Sequence, residues 1–510
     1  MKKLAIKLTA IGVSMVLLVI GAVMGGYAVI VNYAVTGLRI RMDRQHQTVE
    51  GFGASSAWTY QYLGLIEDEE VKEEAIEKLY GESGLALNTF RYNIGAGSSE
   101  VSDFIDPMRA TESYFVAEKF DGDYTAFSNP SNYDFNTRDK GVRELFEKAL
   151  SKGQIKRIVF YVNSPHYLMT VNGDTNASKA YENNLKPECY EAFSDYVYII
   201  ACNLYRKIVC KYDPTIKIYL SPVYEPQGEW GGRDVSQEGC HYDPEVLAEF
   251  YDVFYNRLKQ RNLQEGTDFV MDIFESSTYK LTASGAYFQR YMKAMSKYEY
   301  FDSIERIVAH AYEVDTNDRA RNLLYSFLKR SYNGMDFCVS EYCVQQSGVD
   351  PSIDMGIYSA KVVMKDLVTL NAVTWNYWLS VSTYDYENGL VYWDTKDNNL
   401  FVTKRYYALG QFSKYIETGS VRLGTEYMDT LGWNGVEIAA FLKTDGRIAV
   451  VIINDSSRAK KIKIDGSYGN VIKTTTDADN DWLTSEFEYG GSLSVSANSI
   501  TTFVLTPSED

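Results

Sequence analysis

The sequence predicts an α/β fold: a (β/α)8 barrel with a C-terminal β-sandwich side domain that also takes the N-terminal strand. Three observations carry this. Between residues 51 and 413, apolar strand-like runs alternate with stretches of helical length, the grammar of parallel βαβ units, and eight such units close a barrel. From about Lys414 the helical patterns stop and short strands with turn signals take over. Two glutamates, Glu225 and Glu341, each close a strand-like run, the place where such a barrel presents its chemistry.

With 510 residues, 45% hydrophobic and 23% charged, the chain is globular and long enough for a large barrel plus an accessory unit. Residues 1–36 read as a signal anchor. Lys2, Lys3 and Lys7 are followed by no charge until Arg39, and residues 10–31 are apolar over the length of a bilayer-crossing helix. A cleaved signal peptide is the alternative, although no literal A-x-A site is present. Residues 37–50 form the strand that joins the sandwich, with Leu38, Ile40 and Met42 alternating with Arg39 and Arg41.

The barrel opens after Gly51. An acidic amphipathic helix over 67–80 stops at Gly81. Residues 85–95 are the second strand; Arg91 near its end suits orienting a carboxylate or binding a sugar hydroxyl. Residues 98–140 lack periodicity and read as a long loop above the barrel. A helix over 142–152 and a strand over 157–163 follow, then a turn holding His166, Tyr167 and Leu168. A single long helix is expected over 190–211, then a strand over 216–220 that feeds Tyr224 and Glu225, and a helix over 245–259. The remaining barrel strands are 268–275, ending at Glu275; 306–312, with His310 and Tyr312; 337–341, ending at Glu341; and 373–378. Trp375 and Trp378 stand three apart on that last strand, hence on opposite faces, so at most one floors a sugar site. Residues 404–413 form the junction to the sandwich. In the sandwich, residues 414–510, a hairpin turns at Asp445-Gly446, and strands at 461–464 and 500–505 continue the series.

Two strand-end carboxylates across a cleft are the apparatus of retaining glycoside hydrolysis. The composition agrees. A net charge of −17 argues against nucleic acid and anionic membrane surfaces, and favours a neutral oligo- or polysaccharide as partner. Plentiful aromatics, 42 Tyr, 23 Phe and 7 Trp, suit stacking on sugar rings. Six cysteines without a C-x-x-C and only four histidines give no metal-ligand spacing, so neither metal nor cofactor is expected.

Five segments carry a resemblance: Gln47-Thr48-Val49-Glu50-Gly51-Phe52-Gly53, Arg91-Tyr92-Asn93-Ile94-Gly95, Ser164-Pro165-His166-Tyr167-Leu168-Met169, Ser221-Pro222-Val223-Tyr224-Glu225-Pro226-Gln227 and Val339-Ser340-Glu341-Tyr342-Cys343. Together they resemble glycoside hydrolase family 30, in its endo-β-1,6-galactanase-like branch, from roughly residue 45 to residue 505. The resemblance implies Glu225 as acid/base and Glu341 as nucleophile. Arg91 and Tyr312 would keep Glu341 ionised and aimed, and Trp58, Tyr167, Tyr224, His310 and Trp378 would meet the substrate. It also implies an extracellular enzyme, with β-1,6-glucan or xylan as alternative substrates and an inactive carbohydrate-binding relative as the non-enzyme alternative. Two positions depart from the pattern. Leu168 stands where a Trp is usual, leaving Tyr167 to supply the stacking face. Tyr224 stands where an Asn precedes the acid/base, so another sugar configuration or a slower enzyme is expected.

Overall fold

The structure is a computed structural model that describes residues 35–281, 287–427 and 435–508; the apolar run at 10–31 lies outside the described residues. Among the described residues, no helix is long and apolar enough to cross a membrane. The chain forms two compact units: His46–Arg422, and the segment up to Gln45 with Leu423 onward.

The larger unit is the barrel. Its strands are β1 (Gly51–Ser55), β2 (Thr89–Ile94), β3 (Arg157–Val162), β4 (Lys217–Ser221), β5 (Val270–Met271 continuing as Ile273–Ser276), β6 (Arg306–His310), β7 (Asp336–Glu341) and β8 (Thr374–Ser382). They pair in parallel in that order, and β8 returns to β1 with Thr374 opposite Gly51. The one interruption is in β5. Its first half pairs with β4, its second half with β6, and the Asp272 amide between them donates to the Leu220 carbonyl at 2.9 Å. Most strand residues are buried, as in parallel sheets covered by helices on the outside. Close approach inside the ring demands glycine at position 53: a Cβ there would fall 2.4 Å from Asn376 Oδ1 and 2.5 Å from the Thr89 carbonyl.

One helix follows each strand: α1 (Glu69–Tyr80), α2 (Lys140–Ser151), α3 (Tyr190–Leu204), α4 (Pro244–Glu265), α5 (Tyr287–Met295), α6 (Asp318–Ser331), α7 (Ile353–Val368) and α8 (Lys404–Ser413). Their ends follow local chemistry. Asp68 caps α1 by accepting from Glu70 and Val71, Ser352 caps α7, and α4 runs from a proline to Gly266 at φ +67°.

Four details differ from the sequence expectation. The helix over 190–211 is not uniform; it passes through a π turn, Tyr205–Val209, before a last turn at Cys210–Tyr212. The 98–140 loop contains the one-turn helix Ser98–Val101 and three 3-10 turns. A hairpin, Gly389–Asp394 with Asn399–Val402, extends the sheet beyond β8. Finally, the compact unit begins before residue 51 and ends after 413. The reason is local: Gln47 Nε2 donates to the Leu367 and Ala372 carbonyls (2.6 and 3.2 Å), and Lys414 Nζ to the Glu82 and Gly84 carbonyls (2.7 and 2.6 Å).

The smaller unit is one nine-stranded path, from Leu483–Glu488 at one edge to Leu493–Val495 at the other. Residues from both ends, such as Val471, Phe503, Ile462 and Val495, share one core, so the sheet folds over itself as a sandwich. The N-terminal strand, Val35–Thr48, lies inside this sheet between Val421–Tyr427 and Lys460–Ile464. Its alternation holds for Leu38 and Ile40, which enter the core, while Arg39 pairs with Asp465 (3.0 Å) and Arg41 with Glu426 (2.9 Å); Met42 departs from it and is exposed. The Asp445-Gly446 turn joins Val436–Leu442 to Ile448–Asn454 in antiparallel register.

Candidate active site

Five strands converge on one buried charge cluster at the C-terminal mouth of the barrel. Arg91, in β2, is fully buried; it pairs with Glu275 of β5 and, at 3.2 Å, with Glu341 Oε2 at the end of β7. His310 ends β6 and is also fully buried. Its Nδ1 donates to Glu225 Oε1 at 2.9 Å and stands 3.6 Å from Glu341 Oε1, while Nε2 is 3.5 Å from Glu275 Oε1. A register shift between Ala309 and His310 re-aims the end of β6 and sets His310 opposite Glu341. Tyr312 and Tyr224 both donate to Glu341 Oε1, at 2.8 and 3.0 Å, and Ser221 donates to Glu275 Oε2 at 2.5 Å.

The acid/base candidate is held by strained backbone. Glu225, Glu275 and Trp58 all have left-handed φ values, +44°, +47° and +64°, which cost non-glycine residues of order 1–3 kcal/mol each. The Glu225 amide donates to the Glu275 carbonyl (2.9 Å), and the Glu225 carbonyl accepts from Gly228 N (2.9 Å) and Trp230 Nε1 (2.8 Å). These bonds hold the turn that points Glu225 into the cleft.

The electrostatics follow from burial and contact. Burial alone would discharge His310, but the Glu341 carboxylate and the bonds to Glu225 and Glu275 raise its pKa to about 10. Burial raises the Glu341 carboxyl; His310 and Arg91 pull it back, Glu225 and Glu275 push it up again, and the net direction is upward. Burial also pushes on Glu275, but Arg91 above all, then His310 and Ser221, hold it below its ordinary value. One ring nitrogen of His310 and one oxygen each of Glu225 and Glu341 lie within 4.8 Å of one another, a set that could hold a metal ion. With its raised pKa His310 carries a proton on Nδ1 toward Glu225, so the three groups form a hydrogen-bonded network.

Above the cluster lies a cleft of about 520 Å³. Six of the nine sequence-identified residues line it: Trp58, Tyr224, Glu225, Tyr312, Glu341 and Trp378. Trp375, on the other face of β8, is buried and bonds Asp366 at 3.0 Å. Arg91 and His310 lie beneath, touching carboxylates and not the cleft: Arg91 takes the carboxylate-orienting role of its two readings, and the reading of either residue as a sugar contact is corrected. Tyr167 is a second correction. Its turn sends the ring against His166 (4.5 Å between centroids) and Gly97, and its hydroxyl onto Glu100 (3.1 Å), outside the cleft lining.

Sequence reasoning missed Trp230, Arg109 and Tyr384. Trp230 carried a weak signal, an aromatic among Gly228, Gly231 and Gly232 just past Glu225. Arg109 carried none. It lies over the rings of Trp58 (4.5 Å) and Tyr384 (5.0 Å) and donates to Ser236 Oγ (3.0 Å), tying three loops across the cleft.

Residues 35–392 match the family described as O-glycosyl hydrolase family 30, and residues 419–503 match the glycosyl hydrolase family 30 beta sandwich domain. The chain belongs to glycoside hydrolase family 30. As a member of that family it is an O-glycosyl hydrolase. It is 26% identical over 414 residues to an endo-beta-1,6-galactanase from Hypocrea rufa, covering 78% of each chain. Among solved structures it shares its fold with a conserved exported protein from Bacteroides fragilis, at TM-score 0.77 and 21% identity, over 92% of this chain and 99% of that one. It also resembles the catalytic domain of the family 30 xylanase C from Talaromyces cellulolyticus, at TM-score 0.67 and 18% identity, over 92% and 100%. The candidate site is thus built on β2, β4, β5, β6 and β7 of the barrel.

Proposed function

We propose that this chain cleaves β-linked galactan in the manner of an endo-β-1,6-galactanase, by double displacement, with Glu341 as nucleophile and Glu225 as acid/base. The observation that carries the reading is the 4.8 Å limit on the Glu225 and Glu341 oxygens. That spacing suits direct attack by one carboxylate; an inverting pair stands about 6.5–9.5 Å apart to admit a water.

The steps follow from the contacts. Glu341, aimed by Arg91, Tyr224 and Tyr312, attacks the anomeric carbon while the departing oxygen takes a proton from Glu225. His310 holds a proton 2.9 Å from Glu225 at neutral pH, so the pair has one to give. Once Glu341 is an ester, its negative charge is gone and no longer holds the proton on His310. Glu225 then takes a proton from water, which attacks the same carbon and expels Glu341 as carboxylate. The configuration is retained.

The galactan choice is supported by the Hypocrea rufa relative. A xylan or β-1,6-glucan is the second reading, favoured by Tyr224: its hydroxyl is engaged by Glu341, so the contact that an Asn would make to the sugar 2-hydroxyl differs here. A panel of β-1,6-galactan, β-1,6-glucan and xylan, read by product release and by NMR of the first-formed anomer, tests both. Fastest release from galactan with the β-anomer formed first is expected; an α-anomer first, or faster release from another glycan, overturns the corresponding part. The enzyme is further proposed to work outside the cell, tethered by residues 10–31, as the apolar run there supports. Extraction of the full chain from membranes by alkaline carbonate would overturn the tether.

A further inference from the structure

An arc of aromatic rings crosses the cleft. Trp58 meets Trp378 edge-on at 5.1 Å between centroids, Tyr224 lies 6.1 Å from Trp378, and Trp230 lies 6.2 Å from Tyr224. Two members of the arc, Trp378 and Trp230, belong to different carboxylates. Trp378 stands beside the Glu341 strand, its backbone amide donating to the Tyr342 carbonyl at 2.8 Å. Trp230 stands beside Glu225, its indole N–H donating to the Glu225 carbonyl at 2.8 Å. In a retaining glycosidase the nucleophile attacks the sugar that stays and the acid/base faces the one that leaves, so cleft groups beyond Glu225 meet the leaving unit.

No step of the proposed mechanism uses Trp230, yet the chain fixes it closely. A Cβ at Gly228 would fall 2.3 Å from Trp230 Nε1, and one at Gly239 would fall 2.2 Å from Cδ2, so both positions need glycine for the indole to lie where it does. The carbonyl it holds belongs to a residue in the left-handed region, Glu225 at φ +44°.

We propose that Trp230 forms the first sugar-binding subsite on the leaving-group side, taking a neutral pyranose unit, and that its N–H bond couples occupancy of that subsite to the position of Glu225. The inference rests on reading Glu225 as the acid/base. An aromatic ring offers a large apolar surface for the C–H face of a sugar and a polar edge for its own anchoring. A sugar seated there presents its glycosidic oxygen to Glu225, whereas a small leaving group gains nothing from the ring.

The test compares kcat/KM of the full chain on two substrates: the neutral oligosaccharide that the wild-type enzyme cleaves fastest in the panel above, and the β-glycosyl fluoride of the same sugar, whose leaving atom reaches no further than Glu225. Trp230→Ala is expected to lose at least about tenfold more on the oligosaccharide than on the fluoride. Trp230→Phe, which keeps a ring without the N–H, should fall between. Thermal midpoints of both variants are measured, and the Phe variant carries the comparison should the Ala variant lose its transition. Equal losses on the two substrates, or no loss on the oligosaccharide, overturns the proposal. The acid/base reading is tested apart from it. Azide should speed turnover of the fluoride by Glu225→Ala, attacking the anomeric carbon of the glycosyl-enzyme and releasing Glu341 as carboxylate. No azide effect would sink that reading while leaving the Trp230 ratio measurable.

Discussion

Arg91 is shared between two carboxylates, Glu275 and Glu341, and that sharing sets the charge on the nucleophile. Replacing Glu275 by Gln removes one anion facing Glu341 and frees Arg91 for it, so the Glu341 carboxyl falls and the acidic limb of the kcat/KM–pH profile moves to lower pH. Arg91→Leu removes a cation that holds Glu341 down, and the limb moves to higher pH. The two profiles should shift in opposite directions; a common shift would refute this account of the cluster. Glu341→Gln should lower kcat by on the order of 10⁴-fold, and Glu225→Gln by about 100-fold or more on substrates with poor leaving groups, without loss of the folded transition. His310 contributes to stability with its own sign. Its folded pKa, about 10, lies above the ordinary 6.5, so its contribution is complete below pH 6.5 and is lost as pH rises through about 10. His310→Gln should flatten the fall in Tm across that window, as followed by circular dichroism.

Two loops that the barrel strands carry are pinned together by one buried side chain. Glu238 accepts from Thr111 Oγ1 at 2.7 Å and from the Ala96 and Ser98 amides at 3.3 and 3.2 Å, so the 95–113 loop, with Arg109, is fixed to the 235–241 loop, with Ser236. Burial raises this carboxyl from 4.5 to about 7, against the pull of Ser98 and Thr111. A raised carboxyl opposes folding increasingly as pH climbs from 4.5, and fully above about 7. Glu238→Gln should therefore be near neutral at pH 5 and stabilise by about 1–3 kcal/mol at pH 8, measured by urea unfolding at both values. Destabilisation of equal size at both would show that the loops need the carboxylate itself. Strands and helices repeat the same lesson in reverse. The helix ends at Asp68, Ser352 and Gly266 were written locally, whereas the break in β5 at Asp272 has no local signal, because it answers to neighbours on both sides of the ring.

At the scale of the molecule, the net charge of −17 predicts a selectivity. Cleavage of a neutral oligosaccharide should be flat from about 0.01 M to about 1 M salt, while any cleavage of a uronate-bearing analogue should rise as screening shortens the repulsion. Initial rates across a salt series decide it, and a salt-sensitive neutral substrate would contradict it. Glu225 and Glu341 were legible from the chain alone because each sits in a rigid local pattern at a strand end, and the order of βα units followed from periodicity alone. The direction of a turn was not legible: Tyr167 and Trp230 each follow a strand by a few residues, and only packing against Gly97 in one case and Gly228 and Gly239 in the other sends one away from the cleft and one into it. Nor could the chain say that Arg91 and His310 stop beneath the cleft, since depth depends on ring closure and on the carboxylates arriving from β5 and β7. Local propensity and pattern act over a handful of residues, and they determined the strands, the helices and the two carboxylates. Which of those groups touch is a matter of contacts hundreds of residues apart, and that was decided only when the barrel closed.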